Sequence, residues 1–187
     1  MTATLHVLAT GYAHDRVAST VTLLLDGDTV VVVDPGMVAD RRFILDPLER
    51  LGVEPGQVTD VVFSHHHPDH TLNAALFPNA RFHDHMAVYR DDVWEDRDAD
   101  GFELSESVRL ITTPGHTAED ISTLAATEQG LVVLTHLWWG ADGPADDPFA
   151  PDRDQLRAAR EQVLALSPTL IVPGHGAPFV PSDTTPL

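Results

Sequence analysis

The chain reads as an α/β protein, a layered sandwich of strands and helices forming one domain over residues 1–187. Three observations carry that reading. The first third is built of β-rich runs around a tight turn. A clean amphipathic helix comes only near the C-terminus. Short apolar runs between them stop abruptly at histidine, glycine or proline. A doubly wound sheet is the alternative, and the hairpin-rich first third disfavours it.

Taken in order, residues 4–34 read as strands. Ser19–Asp34 holds two apolar runs on either side of Asp26-Gly27-Asp28, a hairpin signal, and Pro35-Gly36 stops the second run. Phe43, Ile44, Leu48 and Leu51 have helical spacing, so a helix is expected over 39–52, with Pro47 kinking or splitting it. Thr59–Phe63 is expected to be a buried strand. A short helix should follow from Pro68 to Leu76, with proline in its first turn. Ala80–His83 and Val108–Thr112 read as strands flanking an acidic loop, Asp91–Glu106. Ile121–Ala125 and Leu131–Leu134 form another pair. Asp152–Leu166 is a helix with Leu156, Ala159, Val163 and Leu166 on one face. Thr169–Val172 is the last strand, and the tail from Pro178 should be extended and frayed.

Acidic residues outnumber basic ones 29 to 11 in the 187 residues, for a formal charge of −18, and every basic side chain is arginine. That surface repels phosphate backbones and anionic membranes, so neither nucleic acid nor membrane is an expected partner. Cysteine is absent, which removes disulfides and thiolate metal sites. The first residues show no secretory pattern and no run is long enough to span a membrane, so the expected location is the cytoplasm. Composition excludes neither a monomer nor a homodimer.

The chemistry lies in the histidines. His65-x-His67-x-Asp69-His70 follows an apolar strand directly. Imidazole and carboxylate are good ligands for zinc, and this spacing can aim two groups at neighbouring points, enough for two ions. His66, between them, should point away. His116 in Thr113-Pro114-Gly115-His116-Thr117 and His175 in Pro173-Gly174-His175-Gly176 each follow a strand with glycine beside them, which lets the backbone approach a crowded site. His136 also ends an apolar strand; a ligand and a ring satisfied by backbone hydrogen bonds are both open readings. His83-Asp84-His85 imitates a metal motif on a strand and is set aside as non-ligand.

These motifs, together with Val33-Asp34-Pro35-Gly36, resemble in order and spacing those of the metallo-β-lactamase superfamily, over about residues 5–180. The resemblance implies a four-layer αββα sandwich with metal at one edge of two facing sheets. It implies one ion held by His65, His67 and His116, a second held by Asp69, His70 and His175, and Asp34 supporting from behind. Many relatives carry a bridging aspartate where this chain has Thr135-His136-Leu137. A neutral imidazole brings no charge to that position, so Asp69 is the only anionic ligand and one ion should bind more weakly. The cofactor implied is Zn2+, one or two per chain, with Fe or Mn as alternatives.

The activity implied is hydrolysis of a small-molecule ester, thioester, lactone or amide by hydroxide formed on the metal, with Asp69 orienting the nucleophile and His136 a candidate acid or base. A mononuclear iron dioxygenase of the same fold and a non-catalytic metal-binding module are the competing readings. Trp138 and Trp139 are candidates for a pocket wall or for the core. Tyr89, Trp94 and Phe102, in the acidic 86–106 segment, are candidates for a lid.

Overall fold

The computed structural model describes residues 2–187. The Asp26–Thr29 turn sets the first sheet. Gly27 adopts φ +60, which a side chain would resist, and returns β4 (Val21–Asp26) antiparallel to β5 (Thr29–Val33) with Leu24 opposite Val31. β1 (Thr4–Ala9) joins the other side of β4, while β2 (Tyr12–Ala13) and β3 (Val17–Ala18) form a separate small hairpin. The chain then crosses through α1 (Arg42–Arg50) to β6 (Asp60–Val62), which lies parallel to β5. After α2 (Pro68–Thr71) come β7 (Arg81–His83), β8 (Ala87–Arg90) and β9 (Val93–Asp96), completing a seven-stranded sheet in the order β1-β4-β5-β6-β7-β8-β9. The second sheet has four strands, β10 (Val108–Thr112), β11 (Ile121–Thr127), β12 (Gly130–Thr135) and β13 (Leu170–Pro173), with α3 (Arg153–Ala165) crossing between the last two.

Period-two alternation sorts each strand's side chains between two layers. Leu24, Val31, Val33 and Val62 meet Leu110, Ile121, Val132 and Leu134 between the sheets. Their neighbours Leu23, Val32 and Val61 face outward onto Ile44 and Leu48 of α1. Leu124, Val133 and Ile171 face outward onto Leu156, Ala159 and Val163 of α3. The result is the four-layer α/β/β/α stack expected from the sequence.

Several elements differ from expectation. Pro47 lies inside α1 without splitting it. A proline there costs about 3 kcal/mol, and full burial of Ile44 and Leu48 contributes roughly 1.5–3 kcal/mol each, enough to offset it. Phe43 and Leu51 of the same pattern remain exposed. The helix expected through Leu76 is one turn, Pro68–Thr71, followed by a separate 3-10 turn at Ala74–Leu76. The acidic 91–106 segment is not all loop. Val93–Asp96 pairs with β8, and Trp94 stacks on Tyr89 with centroids 5.1 Å apart. The tail is pinned: Phe179 exchanges backbone hydrogen bonds with Ile171, and Trp138 Nε1 donates to Pro186 O at 2.8 Å. No described helix is long and apolar enough to cross a membrane.

One buried carboxylate braces the seven-stranded sheet. Asp60 accepts hydrogen bonds from Thr59 Oγ1 at 2.7 Å and from His83 Nε2 at 2.8 Å, and Arg81 Nη2 lies 2.8 Å from the same oxygen as His83. Burial pushes its carboxyl upward, but His83, Thr59 and Arg81 together hold it below the usual carboxylate range. A folded pKa below the unfolded one gives stability that is present above the ordinary carboxylate range, about pH 4, and lost as pH falls through the folded value. Asp60→Asn should therefore cost about 1–3 kcal/mol at neutral pH. It should also flatten the acid limb of a plot of urea midpoint against pH. An unchanged acid limb would contradict that role.

Candidate metal centre

Strand ends deliver the candidate ligands. β5 leads into Asp34, β6 into Ser64–His70, β10 into His116, β12 into His136 and β13 into His175. Because β5 and β6 run parallel, Asp34 and Ser64 leave the sheet at the same edge. Asp34 takes φ +53, a left-handed conformation that aspartate tolerates, and so turns its carboxylate back into the site. Its Oδ1 accepts Ser64 N at 2.7 Å. Its Oδ2 accepts Ser64 Oγ at 2.8 Å and His70 Nδ1 at 2.9 Å. Ser64 Oγ, its proton committed to Asp34, stands 3.0 Å from His65 Nδ1 as an acceptor. One carboxylate thus fixes two rings.

The other rings are fixed the same way. His116 Nδ1 donates to Asp147 Oδ2 at 2.7 Å, and His175 Nδ1 donates to Ala18 O at 2.9 Å. With their outer nitrogens occupied, these four rings present Nε2 inward, the arrangement by which outer partners orient metal-binding histidines. His116 Nε2 lies 3.1 Å from His67 Nδ1, and His175 Nε2 lies 3.0 Å from His136 Nε2. Asp69 Oδ2 is 3.4 Å from His70 Nε2 and 3.5 Å from His175 Nε2. His136 is the hub: its ring centroid is 4.7 Å from His65, 4.6 Å from His70, 4.1 Å from His116 and 4.9 Å from His175. Two triads, His65–His116–His136 and His70–His136–His175, each bring three ligand atoms within 4.8 Å of one another, and His136 belongs to both. All seven residues singled out in the sequence therefore meet in one place.

Glycine makes that crowding feasible at two points. A Cβ on Gly174 would lie 2.3 Å from the His136 ring, and one on Gly36 would overlap the Asp69 carbonyl.

The donor set fits metal. His65 Nε2 and His136 Nδ1 are buried with no hydrogen-bond partner, and His70 Nε2 has only the Asp69 carboxylate, 3.4 Å away. Such orphaned nitrogens are rare in a core unless a ligand takes them up. Burial, then the neighbouring rings, pushes His65 and His136 far below the usual histidine range, so both are neutral donors. His70 is the exception. Burial opposes its charge, but Asp34 and Asp69 outweigh that and push it up to about 9. Asp69 is held down at about 2, burial being outweighed by His70 and His175. Asp120 is pushed up to about 6 by burial, in part offset by hydrogen bonds from Thr117. Its Oδ1 stands 3.9 Å from His65 Nδ1.

A cavity of about 400 Å³ opens over the cluster. His67, Asp69, His116 and His175 line one side of it. Ala13, His14 and Val17 of the small hairpin, with Trp139 and Phe149, form the walls. Trp138 is wholly buried, so the adjacent tryptophans divide the two roles between them. The 86–106 segment, read in the sequence as either a lid or a solvated acidic loop, does not line this cavity. Tyr89 stacks on Phe82 and Trp94, and Phe102 packs on His83.

Sequence reasoning missed Asp147 and Arg160. Asp147 Oδ2 accepts both His116 Nδ1 and, at 2.9 Å, Trp139 Nε1, so one carboxylate sets a candidate ligand and a cavity wall. Arg160 is buried on α3 and donates to the carbonyls of Leu137, Pro144 and Ala145, holding the loop that carries Trp139 and Asp147. Neither lies in a recognisable motif. His66 does point away, toward Asp84.

Residues 14–109 match the family model of the metallo-beta-lactamase superfamily. The Xenopus laevis metallo-beta-lactamase domain-containing protein 1 is 31% identical over 188 residues, covering 93% of this chain and 80% of the relative. A hydroxyacylglutathione hydrolase of Albidiferax ferrireducens is 31% identical over 109 residues, 56% of this chain and 40% of that one. Among solved structures, a Thermotoga maritima protein of the metallo-beta-lactamase kind superposes with TM-score 0.76 at 25% identity, covering 97% of this chain and 100% of the other. A quorum-quenching N-acyl homoserine lactone lactonase superposes with TM-score 0.67 at 21% identity, covering 93% and 91%. The chain belongs to the metallo-β-lactamase superfamily. It spans 80% of the frog relative but 49% of a Caenorhabditis elegans one and 59% of the human one.

Asp147→Ala should loosen ligand and wall together. Metal affinity at the site containing His116 should fall roughly 10–100-fold, measured by competition with a chromophoric chelator. KM should rise for any substrate that contacts Trp139. Unchanged affinity and KM would remove Asp147 from the site's machinery.

Proposed function

We propose that the protein is a metal-dependent hydrolase acting on a small-molecule ester, thioester, lactone or amide. The observation that carries the reading is the convergence of six histidines and Asp69 beside an apolar-walled cavity of small-molecule size, about 400 Å³. The names of two similar proteins, a lactone lactonase and a hydroxyacylglutathione hydrolase, support carbonyl hydrolysis as the reaction class.

On this reading His65, His67 and His116 would hold one ion, and Asp69, His70 and His175 the other. His136 touches both sets. A bound divalent ion supplies Lewis-acid polarisation of a carbonyl oxygen and a water activated for attack at neutral pH; Zn2+ is the leading candidate. Asp69 lines the cavity, so its carboxylate would orient an attacking water there and take up its proton. Trp139 and Phe149 hold the apolar part of the substrate and keep bulk water out. His136 is 1% exposed and does not line the cavity, which supports a role in holding metal over one in passing a proton to the leaving group. The leaving group is then protonated by the cavity-facing carboxyl of Asp69 or by solvent.

The test is turnover of an ester, lactone and thioester panel before and after chelation, with elemental analysis of the protein as purified. The account expects activity to vanish on chelation and return with Zn2+ or Mn2+. Asp69→Ala should lower kcat by about 10²–10⁴-fold without loss of fold. Turnover unaffected by a chelator would contradict the reading. Bound zinc with no turnover would favour the non-catalytic module, and a single iron with oxygen uptake the dioxygenase.

A further inference from the structure

A second cluster of metal-ligating side chains lies outside the buried centre. We propose that His66, Asp84 and His85 form an outer metal site that takes one late first-row divalent ion, such as Zn2+. The three residues bring one ligand atom each within 4.8 Å of one another. His66 Nε2 and Asp84 Oδ2 are already 3.1 Å apart. Donors bound to one zinc at 2.0–2.2 Å sit about 3.3 Å from each other, so closing the site needs only side-chain rotation.

The carboxylate is prepared for this role. Asp84 is buried, and its Oδ1 accepts Met86 N at 2.9 Å and Ala87 N at 2.8 Å, which fixes the group and leaves Oδ2 toward His66. His85 is held by the same turn: Ala99 N donates to its carbonyl, and Arg97 N donates to Met86 O. His66 provides the entry path, with its side chain 44% exposed. It rides on the rigid turn between His65 and His67, and its ring rests near Phe63.

A simple ion pair accounts for only part of this. Without an ion, His66 Nε2 donates to Asp84, and that satisfies both. It leaves His85 Nδ1 buried with no hydrogen-bond partner. An ion bound by all three satisfies that nitrogen too, with His66 giving up its Nε2 proton on binding. The charge balance selects the ion. Glu119 adds negative potential at His66, while the Arg97 guanidinium lies near Asp84 and offsets part of its charge. Two imidazoles and one partly neutralised carboxylate suit zinc, nickel or copper and disfavour calcium and magnesium, which need more anionic oxygen.

The site differs from the pattern suggested by His83-Asp84-His85 in the sequence. His83 is committed to Asp60, and its place is taken by His66 from a distant part of the chain.

Equilibrium dialysis of the full chain against Zn2+ alone, with elemental analysis, tests the proposal. The wild type should bind one more ion per chain at saturation than His85→Ala or His66→Gln, while His6→Gln, away from the cluster, should bind as many as the wild type. Circular dichroism checks the fold. If His85→Ala unfolds, His66→Gln decides, because its side chain is 44% exposed. Equal stoichiometry in the wild type and both variants overturns the proposal, as does an equal loss in His6→Gln. The ion count does not depend on turnover, so an inactive protein still gives the answer.

Discussion

The site depends on one buried carboxylate placed at a strand end. Asp34 finishes β5 in a left-handed conformation and binds Ser64 and His70 at once, and through Ser64 it reaches His65. Remove that anchor and two of the inward-facing rings lose their tautomer and their aim. Asp147 does the same for His116, and a backbone carbonyl does it for His175. The outer partners, more than the ligands' own positions in sequence, decide that four imidazoles point Nε2 at one centre.

Packing such rings against one another has a cost. Six histidines lie with centroids between 4.1 and 5.1 Å of their neighbours, four of them buried and His67 and His175 half-buried, with several ring nitrogens unpaired. A core built this way is poor at satisfying its own polar groups and well suited to a cation that accepts every lone pair. His136 contributes a neutral ring shared by both triads. Its lack of charge leaves Asp69 as the one anionic ligand candidate and makes the cluster more dependent on its surrounding carboxylates, Asp34, Asp120 and Asp147.

Much of this was legible in the residues. The strand-end histidines and their glycines carry their own local geometry, so the layered sandwich and the metal-ligating character of its histidine motifs could be read from order and spacing, while the four-layer stack and the two ligand sets follow only from the family resemblance those motifs carry. What was hidden has a common cause. Asp147 sits in an irregular loop and reaches the candidate ligands only through a ring 31 positions away in sequence. Arg160 looks like any polar helix residue until the 137–145 loop folds over it. The β9 strand is short, acidic and at the sheet edge, where pairing with β8 overrides its weak local signal. Besides Trp139, the cavity walls come from the small hairpin and Phe149, segments with no motif, rather than from the aromatic residues of the 86–106 segment.

Anomalous diffraction at the zinc edge, on crystals grown with Zn2+, reads the buried centre most directly. The account predicts one peak within bonding distance of His65, His67 and His116 and a second within bonding distance of Asp69, His70 and His175, with His136 beside both. Crystals whose six imidazoles pair only with one another and with water, with no peak among them, would contradict it.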